Sequence, residues 1–208
     1  MKVELGLLTF AFFGGMAAQD AMTPDEVVWV DYGENPMENP EFMTAMMAAS
    51  SPGAPHAEIA KAAGEWNVAS KMWMDPQAPP IDAAGTAKSR MVLGGRYLME
   101  EFKSNFMGMP YEGLMLQGYD NLKQEYFTIW MDNFSTWPSI STGQIDKDGK
   151  FLSTGIMKDI STPAGRPSKF LVQGKDKDTS LFEMFDHTPT GDEYKSFEML
   201  YKRKAGTK

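Results

Sequence analysis

From Trp66 to Arg203 the sequence is a succession of short runs rich in aromatic and β-branched residues, interrupted about every 8 to 14 positions by turn residues. Glycine, proline and aspartate supply the interruptions, as in Gly94-Gly95, because these residues suit the backbone angles of tight turns. The pattern predicts an all-β fold with strands at 66–74, 85–93, 96–107, 111–119, 124–133, 139–145, 150–158, 167–174, 179–187 and 193–203.

The short connections limit how these strands can be arranged. No helical pattern separates them, so consecutive strands are expected to pair in an antiparallel up-and-down meander. Such a sheet removes its exposed edges by closing into a barrel. A β-sandwich is the alternative, since 75–84, 133–139 and 159–167 are long enough to pass between two sheets. We therefore predict an up-and-down barrel of about ten strands.

Residues 1–18 have the composition of a signal peptide. One lysine precedes an apolar stretch that ends in small residues near Ala17 and Ala18. A membrane anchor is the alternative, but the stretch is shorter than the about 20 residues that cross a bilayer. We therefore expect a periplasmic or secreted protein with no membrane span after cleavage.

Residues 19–54 are predicted to form an arm before the barrel domain at 55–204. Asn39 and Pro40 are typical of the first residues of a helix, which we expect to continue to about Ala49. A second short helix is expected to begin at Pro55, with Gly64 just past its C-terminus. The prediction is thus a barrel preceded by one or two short helices.

Composition excludes several classes of function. The net charge of −8 and the pI near 4.8 oppose binding to nucleic acid, and no lysine or arginine cluster is present to neutralise phosphates. The chain has no cysteine, which rules out disulfides and thiolate chemistry. Its two histidines form no recognisable triad or metal-ligand spacing. We therefore predict no catalytic residue and no metal site.

The segment from Gly118 to Thr136 is predicted to be a hairpin. If residues 120–123 form its loop, Gly113 lies opposite Trp130 and the large ring covers the glycine. Treated as 12 positions along one strand, Asp120 and Asp132 would be about 30 to 40 Å apart, too far to act on one substrate. Asp120 is best explained as a turn former, whereas Asp132 ends an aromatic strand where a barrel mouth is expected.

A series of motifs occurs in order along the chain: His56 in a short helix, Gly64-x-Trp66, Gly94-Gly95-Arg96-Tyr97-Leu98, Gly108-x-Pro110-Tyr111-x-Gly113, Gly118-Tyr119-Asp120-Asn121, Trp130-Met131-Asp132, and a final strand with Glu198, Tyr201 and Arg203. With this series, from about Pro52 to Lys204, the chain resembles the bacterial family called domain of unknown function 1579. That family is similar to the calycins, the barrels that include lipocalins and fatty-acid-binding proteins. The resemblance implies a calycin-like barrel but carries no established activity.

The resemblance also implies structural roles. In calycins the tryptophan of Gly-x-Trp packs at the closed end of the barrel under an arginine from the last strand, and Trp66 and Arg203 match these positions. A guanidinium over an indole face is a favourable contact. The structural signature that we infer comprises Gly64, Trp66, Gly118, Tyr119, Asp120 and Arg203. A related group binds haem through a histidine late in the barrel, which makes His187 a candidate haem ligand; no other cofactor is predicted.

Candidate ligand-binding residues are the polar and aromatic side chains expected at the barrel mouth, Arg96, Tyr111, Trp130 and Asp132. Met115 and His56 are added to them, the first because methionine adapts its shape to irregular apolar cavities. Polar side chains in predicted strands would need partners if they point inward. These are Arg96, Glu100, Glu101, Gln117, Glu183 and Glu198.

We expect these features to serve an exported barrel that binds a small apolar or amphipathic molecule. A first alternative is a hydrolase or isomerase that uses Asp132 and neighbouring polar groups, which requires two titratable groups within reach of one substrate. A second is a ligand-free structural or interaction module with a filled barrel and the methionine-rich arm as its contact surface. The sequence predicts neither the identity of the ligand nor the oligomeric state.

Overall fold

The computed structural model describes residues 29–206. The predicted signal peptide, 1–18, and the first part of the predicted arm lie outside this range. The chain divides into two compact units, one up to Met43 and one from Thr44 onward. In the first unit, a short 3-10 helix at Pro36–Glu38 precedes the start of helix α1, Pro40–Ser50. Asn39 Oδ1 accepts the backbone N–H of Glu41 at 2.9 Å, so Asn39 begins this helix as predicted.

The second unit contains helix α2 and ten antiparallel strands in one closed barrel. Helix α2 spans Ala54–Ala60. The strands are β1 Gly64–Met72, β2 Ile81–Val92, β3 Tyr97–Phe106, β4 Met109–Asp120, β5 Glu125–Asp132, β6 Ser139–Ile145, β7 Lys150–Met157, β8 Arg166–Asp176, β9 Thr179–His187 and β10 Glu193–Arg203. Each strand pairs with the next along the chain, and β10 pairs with β1. The predicted all-β meander is therefore confirmed, and the β-sandwich is not formed.

The largest errors in the strand predictions lie at the start of the barrel, where β2 begins at Ile81, four residues earlier than predicted. Strand β1 begins at Gly64, two residues earlier than predicted, so Gly64 is the first strand residue and not the residue that follows helix α2. Its φ of 140° lies outside the range of ordinary L-residues. A Cβ at this position would lie 2.2 Å from Nη1 of Arg203, so the last strand occupies the space that a larger residue would need.

The hairpin of β4 and β5 has a different register from the one predicted. Gly113 lies opposite Asp132, whereas the prediction placed it opposite Trp130. The turn is 121–124, one residue later than expected, and Gln124 takes a positive φ of 54°. The two-residue slip keeps the inward and outward faces unchanged, because side chains alternate with a period of two.

Alternation along the strands defines the inner face of the barrel, and we call the space that it surrounds the lumen. The turns at 93–96, 121–124, 146–149 and 177–178 lie at one end, which we call the closed end. The connections 73–80, 107–108, 133–138, 158–165 and 188–192 lie at the other, which we call the open end. The predicted barrel mouth corresponds to the open end.

Helix α2 and the residues after it pack across the closed end. Ile59 of α2 belongs to a buried cluster with Leu98, Tyr126 and Phe151, which point inward from β3, β5 and β7. Because this apolar cluster lies beneath the helix, it separates the lumen from solvent at this end. Within residues 29–206, no helix is long and apolar enough to span a lipid bilayer.

Candidate functional site

Three of the four residues predicted for the barrel mouth meet at the open end. The Asp132 carboxylate accepts hydrogen bonds from the Tyr111 hydroxyl at 3.1 Å and from Trp130 Nε1 at 2.9 Å. It also accepts the backbone N–H of Phe134 at 3.0 Å. Asp132 therefore fixes the orientation of two inward-facing rings, and each of its oxygens accepts at least one hydrogen bond.

A glycine creates the space for this arrangement. A Cβ at Gly113 would lie 2.2 Å from the ring of Trp130, so the indole lies directly over the glycine on the neighbouring strand. The predicted covering of Gly113 thus occurs, but through a diagonal contact, since the residue paired with Trp130 is Met115. Met115 faces the lumen between Glu100 of β3 and Trp130 of β5.

The electrostatic surroundings of Tyr111 disfavour its ionisation. Burial raises the pKa of the Tyr111 hydroxyl, and the neighbouring Asp132 raises it further. The hydroxyl therefore stays protonated at neutral pH and serves as a hydrogen-bond donor. This geometry therefore does not favour a mechanism in which ionised Tyr111 acts as the base of an acid–base pair.

A second polar cluster lies at the open end on the far side of the lumen, because β4 and β9 are five strands apart in a ten-stranded barrel. Arg166 of β8 donates to both oxygens of Asp186 on β9, at 2.7 and 2.6 Å. It also donates to Asp159, in the loop before β8. Hydrogen bonds from Asp186 are the main reason that the pKa of Arg166 is raised.

This cluster was not predicted, although the sequence contains one signal for it. Phe182 and Met184 are apolar and lie at alternate positions of the predicted strand 179–187, so Asp186 falls on the same face. The side chain of Asp186 is only 3% exposed, and an inward carboxylate so deeply buried needs a cation. Nothing in the local sequence identified Arg166 as that cation.

A third polar cluster lies deeper in the lumen. Ser89 donates to Glu100 Oε2 at 2.7 Å, and Tyr201 donates to Glu100 Oε1 at 3.2 Å. Glu100 is 6% exposed, and it was flagged from the sequence as a strand residue that would need partners if inward. Burial raises the pKa of its carboxyl, and the hydrogen bonds from Ser89 and Tyr201 oppose this shift without reversing it.

Apolar side chains line the lumen between these clusters. The buried members of this lining include Trp66, Val68, Phe102 and Met199. Tyr111, Trp130, Phe182, Phe197 and Tyr201 pack against them but are only partly buried. These five residues are therefore less completely packed than the buried members of the lining.

The fourth predicted mouth residue, Arg96, lies at the opposite end of the barrel. It belongs to the turn between β2 and β3, where Nη1 donates to the backbone carbonyl of Leu93 at 3.2 Å. His56 also lies at the closed end, buried in α2, where its Nδ1 accepts the backbone N–H of Gly53 at 3.0 Å. Burial, and then the charge of Arg96, lower the pKa of His56. The structure therefore does not bring Arg96 or His56 to the open end.

The signature residues of the final and first strands join the closed end to the chain after α2. The Arg203 guanidinium lies 4.0 Å from the ring centre of Trp66 and donates to the carbonyls of Ala63 at 2.6 Å and Lys61 at 2.9 Å. Trp66 Nε1 donates to the carbonyl of Ala62 at 3.1 Å. This pair therefore holds the segment that follows the helix.

The motif Gly118-Tyr119-Asp120-Asn121 also lies at the closed end. Asp120 Oδ1 accepts the backbone N–H groups of residues 122 and 123, as expected of a turn former. The ring of Tyr119 meets His56 edge-on at 6.0 Å between centroids. The space above Gly118 is filled by the rings of Tyr97 and Phe127. Asn121 donates to the carbonyls of residues 48, 49 and 51, contacts that the sequence did not predict.

His187, the candidate haem ligand, lies at the end of β9, and its backbone N–H donates to Asp186. Asp186 faces the lumen, so alternation directs the neighbouring His187 side chain to the outer face. Among residues 29–206, no group of three or more histidine, cysteine, aspartate or glutamate side chains is placed to hold a metal ion. Haem binding through His187 stays a prediction.

Fold and site together define a class: a closed meander barrel of ten antiparallel strands with one end covered by a helix and polar groups at the other. The sequence profile of the family described as protein of unknown function (DUF1579) matches residues 51–203, and the chain belongs to this family. This confirms the resemblance found in the sequence. No curated protein matches the chain.

Proposed function

We propose that the protein binds a small, mostly apolar molecule in its lumen. The observation that carries this proposal is the partial exposure of rings that point inward. Tyr111 and Trp130 on one wall, and Phe182 and Phe197 on the other, pack against the buried core yet keep accessible surface. Burying that surface against an apolar guest would stabilise a complex through the hydrophobic effect.

The open end supports this proposal because apolar side chains surround it. They are Met74, Met107, Met109, Phe134, Trp137 and Ile160, all of them exposed and all from the connections or strand ends at that end. Phe134 contacts the ring of Tyr111 at 5.1 Å between centroids, so the exposed rim continues into the lumen. Such a rim would let an apolar molecule leave water in stages as it enters.

The geometry of the open end fits ligand binding better than catalysis. An enzyme would need a free base or nucleophile, but both oxygens of Asp132 accept hydrogen bonds. The nearest titratable group, Tyr111, has its pKa raised rather than lowered. Asp120 lies about 23 Å from Asp132, at about 3.3 Å per residue over the seven positions from Gly113 to Asp120. The predicted 30 to 40 Å was too long because the two carboxylates lie on different strands, but the separation still excludes a shared substrate.

Export remains part of the proposal. If residues 1–18 are a cleaved signal peptide, the mature protein would begin near Gln19 and meet its ligand outside the cytoplasm. Fractionation of cells that make the full chain, followed by N-terminal sequencing, would test this separately from binding. Uncleaved protein in the cytoplasm would contradict export and leave the lumen proposal untouched.

A lumen-filling substitution tests the proposal directly. Met115 points inward beside Trp130, whereas its neighbour Leu114 points outward from the same strand. We expect Nile red, a neutral apolar dye, to bind the wild-type barrel with a rise in fluorescence. Met115→Trp should weaken that binding by about tenfold or more, because the indole would take the space of the dye, and Leu114→Trp should leave it unchanged.

Thermal unfolding of both variants distinguishes a hollow barrel from a filled one. A hollow lumen should accommodate the added ring of Met115→Trp with little change in Tm. A filled core should lose about 1 to 3 kcal/mol through overpacking. Absence of dye binding by the wild-type protein, together with strong destabilisation by Met115→Trp, would favour the filled interaction module instead. Native mass spectrometry of protein from its own organism would then identify any molecule that it carries.

A further inference from the structure

The deep cluster of Glu100, Ser89 and Tyr201 contains a carboxyl without a cation. Among residues 29–206, no lysine or arginine forms an ion pair with Glu100, whose two oxygens contact only the hydroxyls of Ser89 and Tyr201 among polar side chains. A carboxylate that is 6% exposed and has no cation beside it is disfavoured, so its burial favours the protonated form. The surroundings of Glu100 thus suit a neutral acid.

A neutral Glu100 gives its cluster more hydrogen-bond donors than the cluster itself uses. Ser89, Tyr201 and the protonated carboxyl carry three O–H hydrogens, while only two hydrogen bonds link the three groups. One hydrogen is therefore left for another acceptor. Tyr201 also lies 3.7 Å from the sulfur of Met199, which is only a weak acceptor. Tyr201 is the half-buried member of the three, and a hydrogen bond from the neutral carboxyl to the Tyr201 oxygen would leave the Tyr201 hydrogen for an acceptor in the lumen.

The positive charges on the inner face are already neutralised. By strand alternation two arginines point inward, Arg166 at the open end and Arg203 at the closed end. Arg166 forms ion pairs with Asp159 and Asp186. Arg203 is occupied by Trp66, by two backbone carbonyls and by an ion pair with Asp178 at 3.4 Å. Neither arginine is available to hold the carboxylate of a ligand.

We propose that the lumen selects uncharged ligands whose carbonyl, ester or hydroxyl oxygen accepts a hydrogen bond from the Glu100–Tyr201 cluster, and that it discriminates against ligands with a carboxylate. This inference rests on the proposed apolar binding function and adds the chemical class of the ligand. An entering carboxylate would lose its hydration without gaining a cation, and it would approach Asp132, which lies nearer the open end. A neutral acceptor of the same chain length avoids that cost.

A matched pair of probes tests the selectivity for uncharged ligands separately from apolar binding itself. We would use a dansyl-labelled medium-chain fatty acid and its methyl ester at neutral pH, each below its aggregation concentration. Binding would be followed by dansyl fluorescence. The ester should bind at least about tenfold more tightly than the acid, because only the acid brings an uncompensated charge into the lumen. Equal affinities, or a preference for the acid, would overturn the selectivity while leaving apolar binding intact. If neither probe binds, the proposed function and the selectivity fail together.

Two conservative variants connect the preference to the cluster. Tyr201→Phe removes the donor and should weaken ester binding by about fivefold, with little effect on the weak binding of the acid. Glu100→Gln keeps a neutral donor and acceptor, so it should preserve the preference for the ester. Tyr97→Phe is the matched control, since Tyr97 faces outward and its hydroxyl makes no hydrogen bond within residues 29–206. Circular dichroism would confirm that each variant is folded. Ester affinity that is unchanged in folded Tyr201→Phe would refute the role of the cluster.

Discussion

Replacement of Arg203 by lysine should loosen the closed end of the barrel while keeping its charge. The guanidinium lies 4.0 Å from the ring centre of Trp66 and donates to the carbonyls of Ala63 and Lys61. Its planar fork can stack on the indole and reach both carbonyls at once. An ammonium group can contact one carbonyl or the indole, but it cannot satisfy all three partners.

The size of the effect follows from the contacts that lysine cannot reproduce. One charge-assisted hydrogen bond corresponds to about 1.5 to 3 kcal/mol. The weaker contact with the Trp66 ring adds about 0.5 to 1 kcal/mol. The ion pair of Arg203 with Asp178 contributes little to the difference, because half of the Asp178 side chain is exposed and lysine could keep the pair. We therefore expect Arg203→Lys to lower the free energy of unfolding by about 3 kcal/mol, and Tm by about 6 to 12 °C.

Urea and thermal unfolding followed by circular dichroism measure this loss. Arg90→Lys is the control, because Arg90 is exposed on the outer face of β2. It should change stability by less than about 0.5 kcal/mol. Hydrogen exchange adds a local measurement, since protection of the amides in α2 should fall more than protection in β6 and β7. If Arg203→Lys behaves like Arg90→Lys, the closed end does not depend on this contact.

Two further substitutions test the inner face. Gly113→Ala should destabilise the barrel by about 1 to 3 kcal/mol, because the new Cβ would strike the Trp130 ring, which is held by its hydrogen bond to Asp132. Gly174→Ala is the control and should show no such loss, because a Cβ at that position meets no atom within 4 Å. Equal Tm values for the two variants would contradict the packing argument. Burial raises the pKa of Glu100 above its value in the unfolded chain, so the stability that this carboxyl contributes is present below about pH 4 and is lost as the pH rises. In urea titrations Glu100→Gln should therefore become progressively more stable relative to the wild-type protein as the pH rises from about 4.5 to neutrality, and a difference that does not vary with pH would show that Glu100 is not held protonated.

The strands were predictable because their signals are local. Turn residues such as Gly94-Gly95 and Asp146 to Gly149 mark chain reversals without reference to the rest of the fold. The register of the β4–β5 hairpin was harder, because Gln124 takes a positive φ that sequence analysis reserves for glycine or asparagine. The predicted register nevertheless placed the correct side chains in the lumen, since a slip by two residues preserves the alternation of faces.

The candidate site was only partly predictable, for a related reason. Tyr111, Trp130 and Asp132 lie on neighbouring strands of one hairpin, so alternation alone brings them together. Tyr201 and Glu100 are 101 residues apart in sequence, and their contact exists only because the barrel closes. Closure places β10 beside β1, and the Tyr201 hydroxyl then reaches past β1 and β2 to β3. No local pattern reports such a contact.

The division of roles between the two ends of the barrel has a consequence for ligand specificity. Three residues of the structural signature inferred from the sequence, Trp66, Asp120 and Arg203, act at the closed end, where they hold the chain around α2 and fix a turn. The exposed apolar rim lies at the open end, and Tyr111 and Trp130 connect it to the buried cluster that contains Trp66. Because distant sites contribute nearly additively to stability, substitutions at the exposed rim should leave the closed end intact, and they are the ones with which the proposed ligand preference can be varied. The residues of the closed end therefore account for the fold, whereas the identity of the proposed ligand would depend on inward residues such as Tyr111 and Glu100.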